Sequence, residues 1–173
     1  MTTIERADPP LAADEKSTLL GFLAFHRDTL RLKTAGLDAE QLTATHAPSE
    51  MTLGGMLKHL ALVEDWWFGC VFLGHEHVEP WASVDWEADR DWDWHSAVDD
   101  SPEELRALFD RMCAASDEVI SGVENWSTLS RHTSRTGESF SMRWIIVHMI
   151  EEYARHNGHA DLIREAIDGS TGE

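Results

Sequence analysis

The chain of 173 residues has few cysteines, few basic residues and no long apolar run. Its two cysteines, Cys70 and Cys113, lie in apolar, helix-like surroundings and form no CxxC pair. Disulfide frameworks and cysteine-based zinc sites normally show more cysteines at closer spacing, so the sequence predicts neither. Cys70 and Cys113 are instead expected to be buried small hydrophobic residues.

The shortage of basic residues narrows the range of binding partners. Lysine and arginine number 14 against 32 aspartates and glutamates, which gives a formal charge of −18. Residues 76–124 alone hold 15 acidic and 3 basic residues, a net charge of −12. A field of this sign repels phosphate backbones, so nucleic acid is not an expected partner. Most of the acidity is expected to form a solubilising surface.

Long apolar segments are also missing. No run of about 18 uncharged apolar residues occurs, and residues 1–10 lack the basic-then-apolar pattern of a secretion signal. The protein is therefore expected to be cytoplasmic, with no membrane partner. Its 42% hydrophobic content suits a single domain over residues 1–173 with a real core, in which residues 1–10 are expected to be flexible.

Four stretches have the apolar spacing of long amphipathic helices. They cover residues 11–35, 52–74, 101–122 and 141–167. The first has Asp14 as a start, and the other three begin at a serine or threonine that suits an N-cap. Residues 37–50 read as a connection with room for a short helical turn, and residues 123–139 as a short hairpin or a loop. The pattern predicts an all-α four-helix bundle with one or more crossover connections.

The long connection between the second and third helices, residues 75–100, has a different composition and is called the Trp-rich segment below. Its sequence has no clear helical period, and four tryptophans stand among its closely spaced acidic residues. The tryptophans are Trp81, Trp86, Trp92 and Trp94. A structureless connection of this length is usually functional or mobile. Because tryptophan is costly to leave in water, several should pack back on the bundle, where they either wall a pocket or close the end of the core.

The fourth helix carries a column of polar residues along its apolar stripe. His148, Glu152 and His156 recur every four residues, and His159 follows three positions later. A carboxylate among imidazoles is costly to bury unless it is paired or binds a cation. Glu152 and His156, with His59 from the second helix, make a set of two histidines and a carboxylate that suits zinc, nickel or ferrous iron. By spacing alone, His148 can replace either partner on the fourth helix.

Two segments resemble the DinB/YfiT-like superfamily. They are residues 52–68, TLGGMLKHLALVEDWWF, and residues 152–169, EYARHNGHADLIREAIDG. Within the superfamily, the chain looks most like the actinobacterial branch that includes mycothiol S-transferases, and it is similar to mycothiol-dependent maleylpyruvate isomerases. The resemblance covers the second and fourth helices, and the length of the chain and the order of its helices agree with it.

The resemblance implies a set of metal ligands. Members of such families carry one histidine on the second helix and two ligands four residues apart on the last helix, usually HxxxH followed by x-Gly-Gln. Transferred to this chain, the ligands are His59, Glu152 and His156. Glu152 stands where many members have histidine, a change similar to that in the maleylpyruvate isomerases, and His159 stands where many have glutamine. His148 and His159 are then expected to orient a ligand or carry a proton.

The function that the resemblance implies is a divalent-metal-dependent thiol transferase or isomerase. It would use a low-molecular-weight thiol, mycothiol or its relative bacillithiol, against electrophilic small molecules in detoxification, because a thiol bound to zinc is deprotonated. One alternative is a non-catalytic stress or small-ligand-binding protein, whose structural metal would have all four positions filled by protein. Another is a metal-free polar network in which Glu152 pairs with Arg155, Arg164 or a basic residue of the first helix.

Two further expectations concern packing. Gly158 either lets the first or second helix approach closely beside the metal or is a tolerated weak spot in its own helix. Exposed tryptophans leave room for a homodimer.

Overall fold

The computed structural model describes residues 6–171, and most of these residues are helical. The elements are α1 (Glu15–Thr34), α2 (Ala39–Leu42), α3 (Leu53–Glu64), α4 (Trp92–His95), α5 (Pro102–Ser121), β1 (Leu129–Thr133), β2 (Ser139–Ser141) and α6 (Met142–Asp168). The predicted all-α class is confirmed at the level of a mostly helical fold. Within residues 6–171, no helix has both the length and the apolar character that a membrane span needs.

Local sequence signals set the ends of the long helices. The N-caps accept a hydrogen bond from the backbone of the first turn and are Asp14, Thr52, Ser101 and Ser141. Ser101 and Glu104 form a reciprocal capping box, with Pro102 at the first helical position. Gly169 ends α6 in the left-handed conformation, with φ of 74°. The predicted helix limits hold closely, and α1 begins directly after Asp14, the start predicted for it.

The second long helix changes its hydrogen-bond pattern halfway along. Its first part is α3, and Asp65–Phe72 continue it as a π-helix. In a π-helix each N–H bonds to the carbonyl five residues earlier, which brings side chains five apart close together. The single regular helix predicted over residues 52–74 is therefore two segments with different side-chain periods.

The long helices pack in pairs. α1 lies against α6, and α3 lies against α5 and also contacts α6. The interior is mostly apolar and contains an ionic network, in which the side chain of Arg27 donates to both carboxylate oxygens of Glu64 at 2.7 and 2.8 Å. The Tyr153 hydroxyl donates to the same carboxylate at 2.6 Å. Three helices, α1, α3 and α6, are thus joined by one buried acid.

The segment over residues 75–100 is more regular than predicted. Trp81–Ser83 and Ser96–Asp99 form 3-10 turns on either side of α4. The expectation of a segment without regular structure is wrong because these turns are too short to show a helical period. Trp81 is 1% exposed and closes the core, whereas the other three tryptophans of the segment are partly buried against it.

Two smaller connections also take definite forms. Residues 129–141 contain an antiparallel hairpin, which decides between the hairpin and the loop predicted there.

The flexibility predicted for residues 1–10 falls partly outside the described residues, which begin at Arg6. Arg6 donates a hydrogen bond to the Thr29 hydroxyl at 2.9 Å, and its guanidinium lies 4.2 Å from the centre of the Phe25 ring.

Candidate metal centre

His59 of α3 and His156 of α6 meet at the interface between their helices. Their ring centroids lie 4.9 Å apart, with the ring planes at 60°. Glu152 stands one turn before His156, with Oε2 3.6 Å from His156 Nε2. The structure therefore brings His59 next to His156, although they lie far apart in sequence, and sets Glu152 beside His156. Their binding of a metal remains a prediction.

A buried carboxylate orients His59. Asp93 of α4 lies with Oδ2 2.7 Å from His59 Nδ1, and its side chain is only 5% exposed. An acceptor at this distance holds the proton on Nδ1 and leaves Nε2 with a free lone pair. His59 is thus presented in the tautomer that a metal ligand needs.

Trp94 covers the two histidines from the side of the Trp-rich segment. Its ring stacks on His59 at a centroid distance of 4.7 Å and lies 5.8 Å from the ring of His156. Gly55 makes room for it, because a Cβ at that position would stand 2.7 Å from Trp94 Cε3. Trp94 also lines a pocket of about 380 Å³ together with Glu50, Met51, Thr52, Asp91 and His95. The two roles predicted as alternatives for the tryptophans of this segment are therefore both present, because Trp81 closes the core and Trp94 walls a pocket.

The electrostatics of His156 favour a neutral ring. Burial lowers the pKa of His156 to about 4, and the nearby His59 and His159 act in the same direction. Within the described residues, its Nδ1 is buried without a hydrogen-bond partner. Leaving such an atom unsatisfied costs about 1–3 kcal/mol. The Glu152 carboxylate lies beside the other nitrogen of the ring, Nε2. A neutral imidazole beside a second histidine and a carboxylate fits a divalent cation.

Glu152 stands between two histidines. Its Oε1 lies 3.5 Å from His148 Nε2, and its Oε2 lies 3.6 Å from His156 Nε2. The two neighbours differ in their surroundings. His156 faces α3, whereas His148 packs against Trp67 and Trp144 at centroid distances of 4.6 and 5.0 Å. The pair of Glu152 and His156 is thus the one that meets the His59 ring, and its choice over His148 remains a prediction.

The arginines that a metal-free network would use are engaged elsewhere. Arg155 pairs with Glu151 at 3.3 Å, and Arg164 pairs with Asp168 at 2.8 Å. The pairing of Glu152 with one of these arginines, which would mark such a network, is not seen in residues 6–171.

The structure also shows where His159 and Gly158, two residues singled out in the sequence, lie relative to the candidate centre. His159 is exposed, and its ring lies 6.1 Å from that of His156, so it borders the centre from the solvent side. The close helix approach predicted at Gly158 is wrong. Gly158 is exposed, and a Cβ there would meet no atom of another element within 4 Å.

Asp93 and Trp94 are the site residues that sequence reasoning missed. The Trp-rich segment holds many acidic residues and four tryptophans, so nothing in its composition separates these two from the rest. The run Trp92-Asp93-Trp94 was the available signal, because an acid flanked by aromatic residues is more readily buried than one among other acids.

Comparison with known proteins identifies a family. The sequence model of the mycothiol-S-transferase family matches residues 18–169, which include His59, Asp93, Glu152 and His156. No match is found among curated proteins.

Proposed function

The chain belongs to the mycothiol S-transferase family, within the DinB/YfiT-like proteins, and we propose from this that it transfers a low-molecular-weight thiol to electrophilic small molecules. Mycothiol is the first candidate for the thiol. The observation that supports the proposal most directly is the meeting of the His59 and His156 rings, with the Glu152 carboxylate beside His156 Nε2.

His59, Glu152 and His156 are proposed to hold a divalent metal, zinc before nickel or iron. Two imidazoles and a carboxylate are the protein ligands of many catalytic zinc sites, which keep one position open. A metal held there would supply the positive charge that keeps a bound thiol deprotonated at neutral pH. The low pKa of His156 supports this assignment, because a ring that is already neutral has no proton to lose on binding.

The surrounding residues would position the reactants. Asp93 holds His59 in one orientation, and Trp94 keeps water from one side of the centre. The pocket beside Trp94 is where we place the thiol or its electrophile. Glu50 and Asp91 line that pocket, and their carboxylates can accept hydrogen bonds from a hydroxyl-rich thiol.

His148 and His159 are proposed to assist from the edges of the centre. His148 lies beside Glu152, and His159 lies on the solvent side of His156. Either imidazole can move a proton between the site and water. We also propose that the four long helical segments form a DinB-like four-helix bundle in a single domain, which the pairing of α1 with α6 and of α3 with α5 supports.

Thiol consumption by metal-loaded protein tests the function. Mycothiol, bacillithiol and glutathione would each be assayed with a panel of electrophiles, and conjugation should depend on mycothiol. His59→Ala and His156→Ala should each lose bound metal and lower the rate at least about 100-fold. His46→Ala is a matched control, because His46 is exposed and distant in sequence from the predicted ligands. Full activity in both ligand variants would contradict the proposal.

A non-catalytic protein with a structural metal is the second candidate. It is favoured by one observation, that the ligand atoms of His148, Glu151 and Glu152 all lie within 4.8 Å of one another. These side chains would add protein ligands around Glu152 and fill the open position. Metal that is lost in His148→Ala, in a protein that consumes no thiol, would favour this candidate over the transferase.

A further inference from the structure

A second group of metal-ligating side chains lies further along the same helix. Asp65, Cys70 and His77 each offer a ligand atom within 4.8 Å of the other two. Cys70 Sγ lies 3.5 Å from His77 Nδ1 and 3.8 Å from Asp65 Oδ2, and these nitrogen and oxygen atoms are 2.7 Å apart. None of the three belongs to the centre around His59, so the group is a separate feature of the fold.

The π-helix explains why the sequence did not reveal this group. On a regular α-helix, residues five apart point about 140° away from each other. Asp65 and Cys70 are five apart in the π-helical segment, and there they turn to the same side. His77 then arrives from the start of the Trp-rich segment, where its ring lies 5.5 Å from the ring of Trp66. No CxxC or HxxxH spacing is needed for the three to meet.

The surroundings of the group favour a cation. Cys70 is buried, and the side chains of Asp65 and His77 are 6% and 22% exposed. A buried carboxylate is costly unless a positive charge compensates it, and a metal ion does so while binding all three side chains. A cavity of about 230 Å³ adjoins the group and is lined in part by Asp65, His75 and Glu76. An ion or water can therefore reach it.

A nucleophilic cysteine is the competing interpretation, and the geometry disfavours it. A catalytic triad uses both imidazole nitrogens, one toward the nucleophile and one toward the acid. Here Cys70 and Asp65 both approach the same nitrogen, Nδ1 of His77. Burial and the Asp65 carboxylate also raise the pKa of Cys70 to about 12, which opposes a free thiolate.

The distances suit zinc. Tetrahedral zinc with ordinary bond lengths separates sulfur from nitrogen by about 3.5 Å, sulfur from oxygen by about 3.6 Å and nitrogen from oxygen by about 3.4 Å. Two of these separations match the observed 3.5 and 3.8 Å. The third, 2.7 Å between His77 and Asp65, is a hydrogen bond that would open as its proton leaves.

We propose that Asp65, Cys70 and His77 form a second metal site, which binds Zn²⁺ with a water or Glu76 in the fourth position. Binding releases the thiol proton of Cys70 and the proton shared by His77 and Asp65. The metal ties the start of the Trp-rich segment to the helix that carries His59. The site is independent of the proposed thiol chemistry, so a test of one does not decide the other.

Titration of the full chain with Co²⁺ tests this site by a signal that the other centre cannot produce. A thiolate bound to Co²⁺ gives an intense charge-transfer band in the near ultraviolet, and His59, Glu152 and His156 contain no sulfur. The wild-type protein should develop the band. Cys70→Ser should lose the band together with one equivalent of bound cobalt. Cys113→Ser, which changes the other buried cysteine, should keep both.

Further variants separate the two centres and guard against misfolding. His156→Ala should keep the thiolate band, which shows that the signal does not depend on the first centre. His77→Ala, whose side chain is partly exposed, should weaken cobalt binding at the thiolate site at least about 10-fold while circular dichroism shows unchanged helix content. Absence of the band in the wild-type protein, or its survival in Cys70→Ser, would overturn the proposal.

Discussion

His59 Nδ1 and Asp93 Oδ2 lie 2.7 Å apart and join α3 to the Trp-rich segment at the edge of the candidate centre. The preceding residue makes a parallel connection, because the Lys58 ammonium pairs with Asp100 and lies 4.4 Å from the centre of the Trp92 ring. Two consecutive residues of α3 are therefore held by one acidic segment. The position of that segment controls the orientation of His59, and through it the geometry of any metal bound there.

Asp93→Asn is expected to weaken metal binding without unfolding the protein. The amide removes the charge that holds the proton on His59 Nδ1, and loss of such a partner typically lowers metal affinity about 10- to 100-fold. Competition with a chromophoric chelator measures the change. Asp99→Asn is the control, since Asp99 is an exposed acid of the same segment. Equal affinities in the two variants would show that Asp93 does not position His59.

The metal-free protein is expected to lose stability as the pH falls from about 6.5 to about 4. Burial lowers the pKa of His156 to about 4 in the folded state, whereas an unfolded histidine titrates near 6.5. The unfolded state therefore binds more protons in this window, and the free energy of unfolding rises with pH across it, by about 3 kcal/mol in total. Urea unfolding of chelator-treated protein at several pH values measures this slope. His156→Ala should reduce it, and an unchanged slope would contradict the assignment to His156.

Glu64→Gln is expected to destabilise the fold by about 3 kcal/mol, because it leaves the buried charge of Arg27 to the solvent-exposed Asp117 carboxylate, 2.7 Å away. Burial opposes that charge, yet the paired Glu64 carboxylate raises the pKa of Arg27 well above its ordinary value. Tyr153→Phe provides the comparison. It removes one hydrogen bond to the same carboxylate and should cost only about 1–2 kcal/mol. Urea denaturation of both variants measures the two losses of stability. A larger loss in Tyr153→Phe would show that the network is stabilised mainly by the Tyr153 hydroxyl and not by the ion pair.

The elements that sequence reasoning predicted best are those set by local chemistry. The capping box of Ser101 and Glu104 and the glycine stop at Gly169 act within a few residues, so α5 and α6 were placed closely. The column of Glu152 and His156 follows from helical period in the same way. His59 is a candidate from its place near the buried face of the second helix. The choice of Glu152 with His156 over Glu152 with His148 came from family resemblance, since helical spacing alone does not separate the two pairs.

The features that sequence reasoning missed depend on contacts made after folding. Asp93 is one acid among many until α4 turns it toward His59. The approach of Cys70 to Asp65 depends on the change from α- to π-helix, which apolar spacing did not indicate. The sequence left open whether Gly158 serves a close helix contact or is a tolerated weak spot, because a glycine in a helix does not reveal whether a neighbouring helix faces it. Tertiary geometry decides all three cases.

Two glycines of the site helices should respond to alanine with opposite signs. Gly158 is exposed and has open space around its missing Cβ, so Gly158→Ala should stabilise the protein by about 1 kcal/mol through helix propensity alone. At Gly55 the new Cβ would stand 2.7 Å from Trp94, and overpacking of this kind typically costs about 1–3 kcal/mol. Gly55→Ala should also push Trp94 away from His59 and change the fluorescence of the protein, whereas Gly158→Ala should leave it unaltered. Urea unfolding and tryptophan emission measure both effects. Stabilisation by Gly55→Ala with unchanged emission would mean that Trp94 does not pack against α3 as the structure has it.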